Sequence, residues 1–172
     1  MKSISIFCLM FAVMVFGSLA SEAKAQTGNL VEVALAVNGE GSPYEGQFDT
    51  LIAAVLAADP VVVETLTGRG QFTVFAPTDD AFAALGYDAT NIATLGQDTL
   101  TEVLLYHVAR GRRDAGEVTT SDRIRSLQGT FFFPNSSATI TDALGREANI
   151  IVTDVPASNG IIHAIDAVIL PY

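Results

Sequence analysis

Residues 72–85, with the sequence FTVFAPTDDAFAAL, contain the change of pattern that decides the fold. Phe72–Ala76 is a short run of aromatic, β-branched and small residues, which is typical of a buried strand. Pro77 ends this run, and Thr78 is in position to cap a helix over Asp79–Leu85. The stretch therefore predicts a strand that is followed directly by a helix.

The first turn of this predicted helix carries two adjacent acidic residues, Asp79 and Asp80. Negative side chains in a first turn interact favourably with the helix dipole. Adjacent positions on a helix point roughly 100° apart, so the two carboxylates do not converge on one substrate atom. We therefore interpret them as dipole partners and not as a catalytic pair.

Helical periodicity continues on both sides of this stretch. Upstream, one apolar face predicts a helix, and Asp59-Pro60 ends that helix and begins a second one. Downstream, Asp98 is in position to cap a helix that Gly111 ends, and Arg110, Arg112 and Arg113 would complement the dipole at the C-terminus of that helix. The two apolar faces consist of Phe48, Leu51, Ile52, Val55 and Leu56 upstream, and of Leu100, Val103, Leu104, His107 and Val108 downstream.

The second half of the chain changes to short runs that are typical of strands. Asn159-Gly160, between the last two runs, favours a type I′ hairpin turn, which needs positive φ at both central residues. Because helices come first and most strands later, the order predicts an α+β fold and not a regular βαβ alternation. The predicted strands are Ile124–Leu127, Thr130–Phe133, Ala138–Thr141, Ile150–Asp154 and Ile161–Leu170.

The start of the chain has the pattern of a secretory signal peptide. Lys2 precedes the apolar run Ile4–Ala20, and an A-x-A cleavage pattern ends just before Gln26. The run is shorter than the about 20 apolar residues of a membrane-spanning helix. We therefore predict that residues 1–25 are removed and that residues 26–172 form a single secreted or periplasmic domain, with no membrane insertion after cleavage.

The composition limits the classes of partner. The 172 residues carry 19 acidic against 9 basic side chains, a formal charge of −10, and 49% of them are hydrophobic. This apolar fraction excludes a disordered chain, and the acidic balance argues against binding of nucleic acid or of an anionic membrane surface. Cys8 and both lysines precede the predicted cleavage point, so the mature domain has neither a thiol nor a lysine.

The sequence contains no recognisable catalytic or metal-binding motif. The mature domain lacks a thiol, a G-x-S-x-G elbow, a phosphate loop and a calcium-binding loop pattern. His107 and His163 lack metal-binding spacing, and the apolar helix face predicts a buried, neutral His107. His163 and Asp166 are three apart in a predicted strand and so point to opposite faces. We therefore predict that the protein is not an enzyme and needs neither a cofactor nor a metal.

Three segments, in this order and spacing, resemble the fasciclin-like (FAS1) domain family. Residues 72–85 and residues 159–171, NGIIHAIDAVILP, are similar to the two conserved blocks of the family. Residues 104–108, LLYHV, contain Tyr106-His107, which is similar to its tyrosine-histidine motif. The resemblance covers nearly the whole predicted mature chain, and it implies a wedge-like β-sandwich with several helices packed around it.

The resemblance also implies a function. FAS1 domains act without catalysis, in cell adhesion or in binding a protein or polysaccharide partner that is extracellular or at the cell surface. In animal members the tyrosine-histidine motif and its neighbours are linked to integrin contact, which makes Tyr106 and His107 candidate binding residues here. The apolar helix face instead favours a structural role for both. Two alternatives stay open: a carrier that holds a small ligand in an apolar cleft, and an extracellular hydrolase.

Overall fold

The computed structural model describes residues 28–172. The predicted signal peptide and its cleavage point lie outside the described residues. Short helices precede and flank the strands, and a 3-10 helix over Ile92–Leu95 leads into the longest of them. The α-helices are α1 (Leu30–Asn38), α2 (Asp49–Ala57), α3 (Pro60–Thr67), α4 (Asp79–Ala83), α5 (Gln97–Tyr106) and α6 (Ala115–Thr120).

Seven strands form one mixed sheet in the order β2-β1-β7-β6-β5-β4-β3. The neighbours β1 and β7 are parallel, and all other neighbouring strands are antiparallel. A bridge between Ala109 and Ser126 joins the two outer strands, so the sheet curls until its edges meet. The strands are β1 (Phe72–Pro77), β2 (Val108–Arg110), β3 (Ile124–Arg125), β4 (Phe131–Pro134), β5 (Thr139–Thr141), β6 (Glu147–Ala157) and β7 (Gly160–Ile165). The predicted α+β class is confirmed.

Two clusters of buried side chains hold these elements together. The larger cluster lies between the helices and the face of β1, β6 and β7 that is turned toward them. The smaller one fills the inside of the curled sheet, where Phe132 meets Phe75 and Tyr106 edge to face at ring distances of 5.1 and 5.9 Å. The smaller cluster therefore holds β1 and β4 at a fixed distance across the inside of the curled sheet.

The helix boundaries confirm some predictions and correct others. Asp59 caps α3 as predicted, with its carboxylate accepting from the Val61 N–H. The predicted helix before Gly111 ends earlier, at Tyr106, because the chain turns at His107 and enters β2. Gly96, and not Asp98, is the N-cap residue of this helix. Helices α1 and α6 were not predicted, although α1 begins with a capping box between Asn29 and Glu32 that the sequence shows.

Asp79 lies in the first turn of α4, and it also acts on a second helix. Its carboxylate accepts a hydrogen bond of 2.9 Å from the Thr50 N–H in the first turn of α2. The predicted position of Asp79 in the first turn of α4 is therefore confirmed, and the same carboxylate also accepts from the N-terminus of α2. Thr78 is the N-cap residue of α4 as predicted, but its side chain makes no capping hydrogen bond.

The predicted hairpin between β6 and β7 is confirmed, but its turn is different. Ala157 pairs with Gly160, so the two turn residues are Ser158 and Asn159. Neither Asn159 nor Gly160 has a positive φ, so the predicted type I′ turn is wrong. Asn159 is instead buried, and its side chain accepts from the Leu30 N–H and donates to the Leu66 carbonyl. The turn is therefore fixed by tertiary hydrogen bonds and not by local φ preference.

Candidate functional site

Tyr106, at the end of α5, is fully buried inside the curled sheet. Its hydroxyl donates to the Phe131 carbonyl at 2.9 Å and accepts from the Ala143 N–H at 3.1 Å. Burial raises the pKa of this phenol, so it stays protonated and able to donate. The side chain therefore ties α5 to β4 and to the turn between β5 and β6.

His107 is buried next to it and links α5 to the C-terminal segment. The Ile169 N–H donates to Nε2 at 3.2 Å, which leaves the ring proton on Nδ1 to donate to the Val103 carbonyl at 2.8 Å. Burial lowers the pKa of His107 to about 4, so the ring is neutral at physiological pH. Both candidate binding residues thus make internal contacts, and neither ring reaches the surface.

His107 gives a testable prediction of stability. In the His107→Ala variant the Ile169 N–H and the Val103 carbonyl lose their partner and the core loses a ring. We expect the free energy of unfolding to fall by about 1–3 kcal/mol. Urea unfolding at neutral pH measures the change. An unchanged melting curve together with lost binding of a partner would contradict the structural role.

The same residue predicts a pH dependence. Because the folded pKa is about 4 and the unfolded value is 6.5, only the unfolded chain takes up this proton between the two. Wild-type stability should therefore be complete above about pH 6.5 and decrease toward pH 4, by up to about 3 kcal/mol. In the His107→Ala variant the free energy of unfolding should therefore depend less steeply on pH over this range. Equal slopes for both proteins in urea unfolding across this range would contradict the prediction.

His163 is also buried, in the middle of β7. The Asp154 N–H donates to its Nδ1 at 3.2 Å, and its Nε2 bonds to the Arg113 carbonyl at 2.9 Å. The carboxylate of Asp166 instead accepts two hydrogen bonds from Asn149, at 2.7 and 2.9 Å. The structure therefore does not bring His163 and Asp166 together as an acid–base pair.

A surface groove lies where the sheet edges meet, and Leu105, which directly precedes Tyr106-His107, is one of its lining residues. Two adjoining cavities of about 430 and 450 Å³ share Arg110 and Leu127 in their walls. Together they are lined by four arginines, and no acidic residue lies among their described lining residues. We call this feature the basic groove and define it by Arg69, Arg110, Arg113 and Arg125.

The seam of the sheet brings two of these arginines face to face. The antiparallel bridge between Ala109 and Ser126 places Arg110 opposite Arg125, and both side chains are exposed. Directly opposed like charges across strands are destabilising. Within residues 28–172 the one ion pair is Arg146 with Asp142, so no described carboxylate neutralises this pair of arginines.

Sequence reasoning missed the basic groove. It interpreted Arg110, Arg112 and Arg113 as partners of a helix dipole, which is wrong because α5 ends at Tyr106. Arg112 instead donates to the carbonyls of Ala157 and Gly160. The sequence feature that could have indicated the groove is the concentration of arginines in residues 110–125 of a strongly acidic chain.

A second, apolar cavity lies between α2, α4, α5 and the C-terminal segment. Its volume is about 110 Å³, and Tyr172 lies at its rim with its hydroxyl donating to Glu102 at 2.6 Å. Binding pockets for small molecules usually have about 300–1,000 Å³. The apolar cavity is thus well below the usual size, whereas each half of the basic groove lies within the range.

Among residues 28–172 no three His, Cys, Asp or Glu side chains are placed to hold a metal ion. No single described helix is long and apolar enough to cross a membrane, and α2 with α3 meets the length and composition criteria only as a pair bent by 114°.

Comparison with known proteins shows where this fold belongs. The Fasciclin domain family matches residues 46–171. Protein sll1483 of Synechocystis is 45% identical over 129 residues, which cover 72% of this chain and 67% of that protein. Protein sll1735 of the same organism is 37% identical over 144 residues, which cover 83% of this chain and 97% of that protein.

The solved structures support the same assignment for the fold. A FAS1 domain pair from the insect cell adhesion molecule fasciclin I matches with a TM-score of 0.54 and 19% identity, over 67% of this chain and 42% of that one. Helices packed on a curled mixed sheet thus give this chain the fold of a FAS1 domain. The protein belongs to the fasciclin domain family, and the predicted FAS1-like fold is confirmed.

Proposed function

We propose that this protein is a secreted, non-enzymatic FAS1 module that mediates adhesion by binding a protein or polysaccharide partner outside the cytoplasm. The basic groove is the observation that carries this proposal. It is open, it is lined by four arginines, and it lies on a chain whose formal charge is −10. The likeness to an insect cell adhesion molecule supports the same direction.

The described residues favour binding over catalysis. A hydrolase needs a solvent-facing imidazole–carboxylate pair or an equivalent nucleophile. His107 and His163 are both buried with both ring nitrogens bonded, and the carboxylate of Asp166 is bonded to Asn149. The carrier alternative finds support in the apolar cavity, but the volume of about 110 Å³ favours the basic groove as the binding site.

Adhesion through a single module predicts a dependence on surface density. Linked copies raise the effective concentration of sites, so retention should grow more steeply than the number of immobilised copies. The protein is immobilised at low and high density, and retention of its own cells or of an envelope extract is measured. Absence of retention at every density would contradict the proposal. If the wild-type protein turns over an ester or glycoside substrate and a correctly folded His163→Ala variant does not, the result would favour the alternative that the protein is an extracellular hydrolase.

Export is part of the proposal and has its own test. The A-x-A pattern before Gln26 predicts that the exported protein begins at this residue. The intact mass of the protein recovered outside the cytoplasm measures the start directly. A mass that retains Cys8 would contradict cleavage at this position.

A further inference from the structure

We propose that the basic groove binds a linear acidic polysaccharide, with its arginines pairing to carboxylate or sulfate groups along the sugar chain. This inference rests on the proposed function and names the class of partner. It is carried by the four arginines, by the absence of acidic side chains among the described lining residues, and by the two adjoining cavities of about 430 and 450 Å³.

The type of basic residue defines the type of anion. Lys2 and Lys24 are the only lysines of the chain, so every basic residue from 28 to 172 is an arginine. A guanidinium is planar and offers parallel N–H groups, which match the two oxygens of a carboxylate or sulfate. Oxyanions that present two accessible oxygens to one guanidinium are therefore the groups that this groove recognises.

The guanidinium groups are available for such contacts. Arg125 is oriented by a hydrogen bond from its Nε to the Gly129 carbonyl at 3.1 Å, and its other nitrogens make no hydrogen bond to described residues. Arg110 and Arg125 lie opposite each other and form no ion pair with a described carboxylate, so both guanidinium groups are free to bind an anion. An anion between the opposed arginines would relieve their repulsion.

The remaining lining residues suit a sugar chain. Gln71 is exposed and offers its side-chain amide to sugar hydroxyls, and the Thr65 hydroxyl, which donates to the Val61 carbonyl, can still accept a hydrogen bond. Leu105 and Leu127 form an apolar floor for the ring faces. Half-buried positions of the two leucines leave part of each side chain accessible. The groove thus combines charge, hydrogen-bonding groups and apolar surface over a length that one small anion does not fill.

Two other polyanions fit the groove less well. An extended acidic peptide commonly binds by adding to a free strand edge, but β2 is paired with β1 on one side and bridged to Ser126 on the other. Double-stranded DNA carries one charge per about 1.7 Å of its axis, so its phosphates would extend from the groove onto a protein whose net charge is −10. A polysaccharide charged once per sugar or less has a lower charge density.

The test uses fluorescently labelled polygalacturonate as the carboxylate probe, dextran sulfate with at most one sulfate per sugar as the sulfate probe, and neutral dextran as the control. Binding is measured by anisotropy at physiological salt. Matched oligonucleotide and polyglutamate probes test the two other classes of polyanion. We expect at least one acidic polysaccharide to bind more tightly than all the other probes. The acidic polysaccharide that binds more tightly shows whether the groove prefers carboxylate or sulfate groups. Tighter binding of the oligonucleotide or polyglutamate, equal binding of neutral dextran, or no binding of either acidic polysaccharide would overturn the proposal.

Charge-matched variants locate the site. Arg110→Gln and Arg125→Gln should each weaken binding by about tenfold, the effect of one lost charge-assisted contact. Arg123→Gln removes the same charge, but Arg123 lies 4.7 Å above the Phe131 ring and does not line the groove. We expect its affinity to change by less than about twofold, and the groove variants to melt no earlier than wild type. An equal effect of Arg123→Gln would overturn the assignment to the groove.

The groove proposal and the proposed function can fail separately. If the Arg110→Gln/Arg125→Gln variant retains envelope material as well as wild type does, the groove proposal is wrong and the adhesive function stands. If neither protein retains any material, the adhesive function itself is wrong.

Discussion

Replacing Gly160 with alanine is expected to lower the free energy of unfolding by about 4 kcal/mol or more. A Cβ at this position would lie 2.1 Å from the Phe72 carbonyl oxygen and 3.2 Å from a methyl group of Leu30. The carbonyl belongs to the backbone of β1, which pairs with β7 from this residue onward. Because backbone cannot rotate away as a side chain can, the parallel pair must separate locally, and the effect exceeds that of ordinary overpacking.

Gly39→Ala is the matched control for this prediction. Gly39 follows α1 with a φ of −73°, and a Cβ there would meet only backbone oxygens at 3.5 Å, an ordinary contact distance. Its stability should change by less than about 1 kcal/mol. Thermal and urea unfolding of both variants give the comparison. Equal stability of the Gly160 and Gly39 variants would contradict the close approach of β1 to β7.

Removing the carboxylate of Asp142 is expected to cost about 3–5 kcal/mol. This buried group accepts from the N–H groups of Leu144 and Arg146 through one oxygen, and from the Leu170 N–H and the Arg146 guanidinium through the other. In Asp142→Ala these donors lose their acceptor, and the arginine loses its ion pair at 2.6 Å. The C-terminal segment would then lose its connection to the turn between β5 and β6.

Asp88→Ala is the control, because Asp88 is an exposed carboxylate with local hydrogen bonds to Thr90 and Asn91. Its loss should lower the free energy of unfolding far less than the loss of Asp142. Burial raises the pKa of Asp142, but hydrogen bonds from Leu170 and Arg146 outweigh burial and hold it below its usual value. Its stabilising contribution is therefore present above about pH 4 and lost as the pH falls further. Urea unfolding in which both variants lose equal stability would contradict the central role of Asp142.

The local patterns of the sequence predicted much of the fold. The apolar run Phe72–Ala76 with Pro77 gave the position of β1, and Asp59-Pro60 gave the boundary between α2 and α3. These features depend on neighbours in sequence, so the residues alone define them. The hairpin at Asn159-Gly160 shows the limit. The glycine is needed for its contact with Phe72, 88 positions earlier in the chain, which no local rule of turn formation shows.

The candidate site is the part that the sequence could not predict. Arg110 and Arg125 become neighbours only because the sheet curls and Ala109 bridges to Ser126. That closure depends on the packing of Tyr106, Phe75 and Phe132 inside the sheet. A helix continued to Gly111, as the periodicity favoured, would have placed the arginines on a helix end instead. The groove therefore follows from tertiary structure, although the unusual concentration of arginine was visible beforehand.

Retention of envelope material on a surface densely coated with the protein tests whether the basic groove is the adhesive surface. We expect wild-type protein to retain the material and soluble acidic polysaccharide to release it, while neutral dextran does not. We expect the Arg110→Gln/Arg125→Gln variant to retain much less at the same density, with its folded state intact. If acidic polysaccharide does not release the material, and if replacing both arginines leaves retention unchanged, the basic groove is not the binding surface. If no material is retained at any density, the protein is not adhesive.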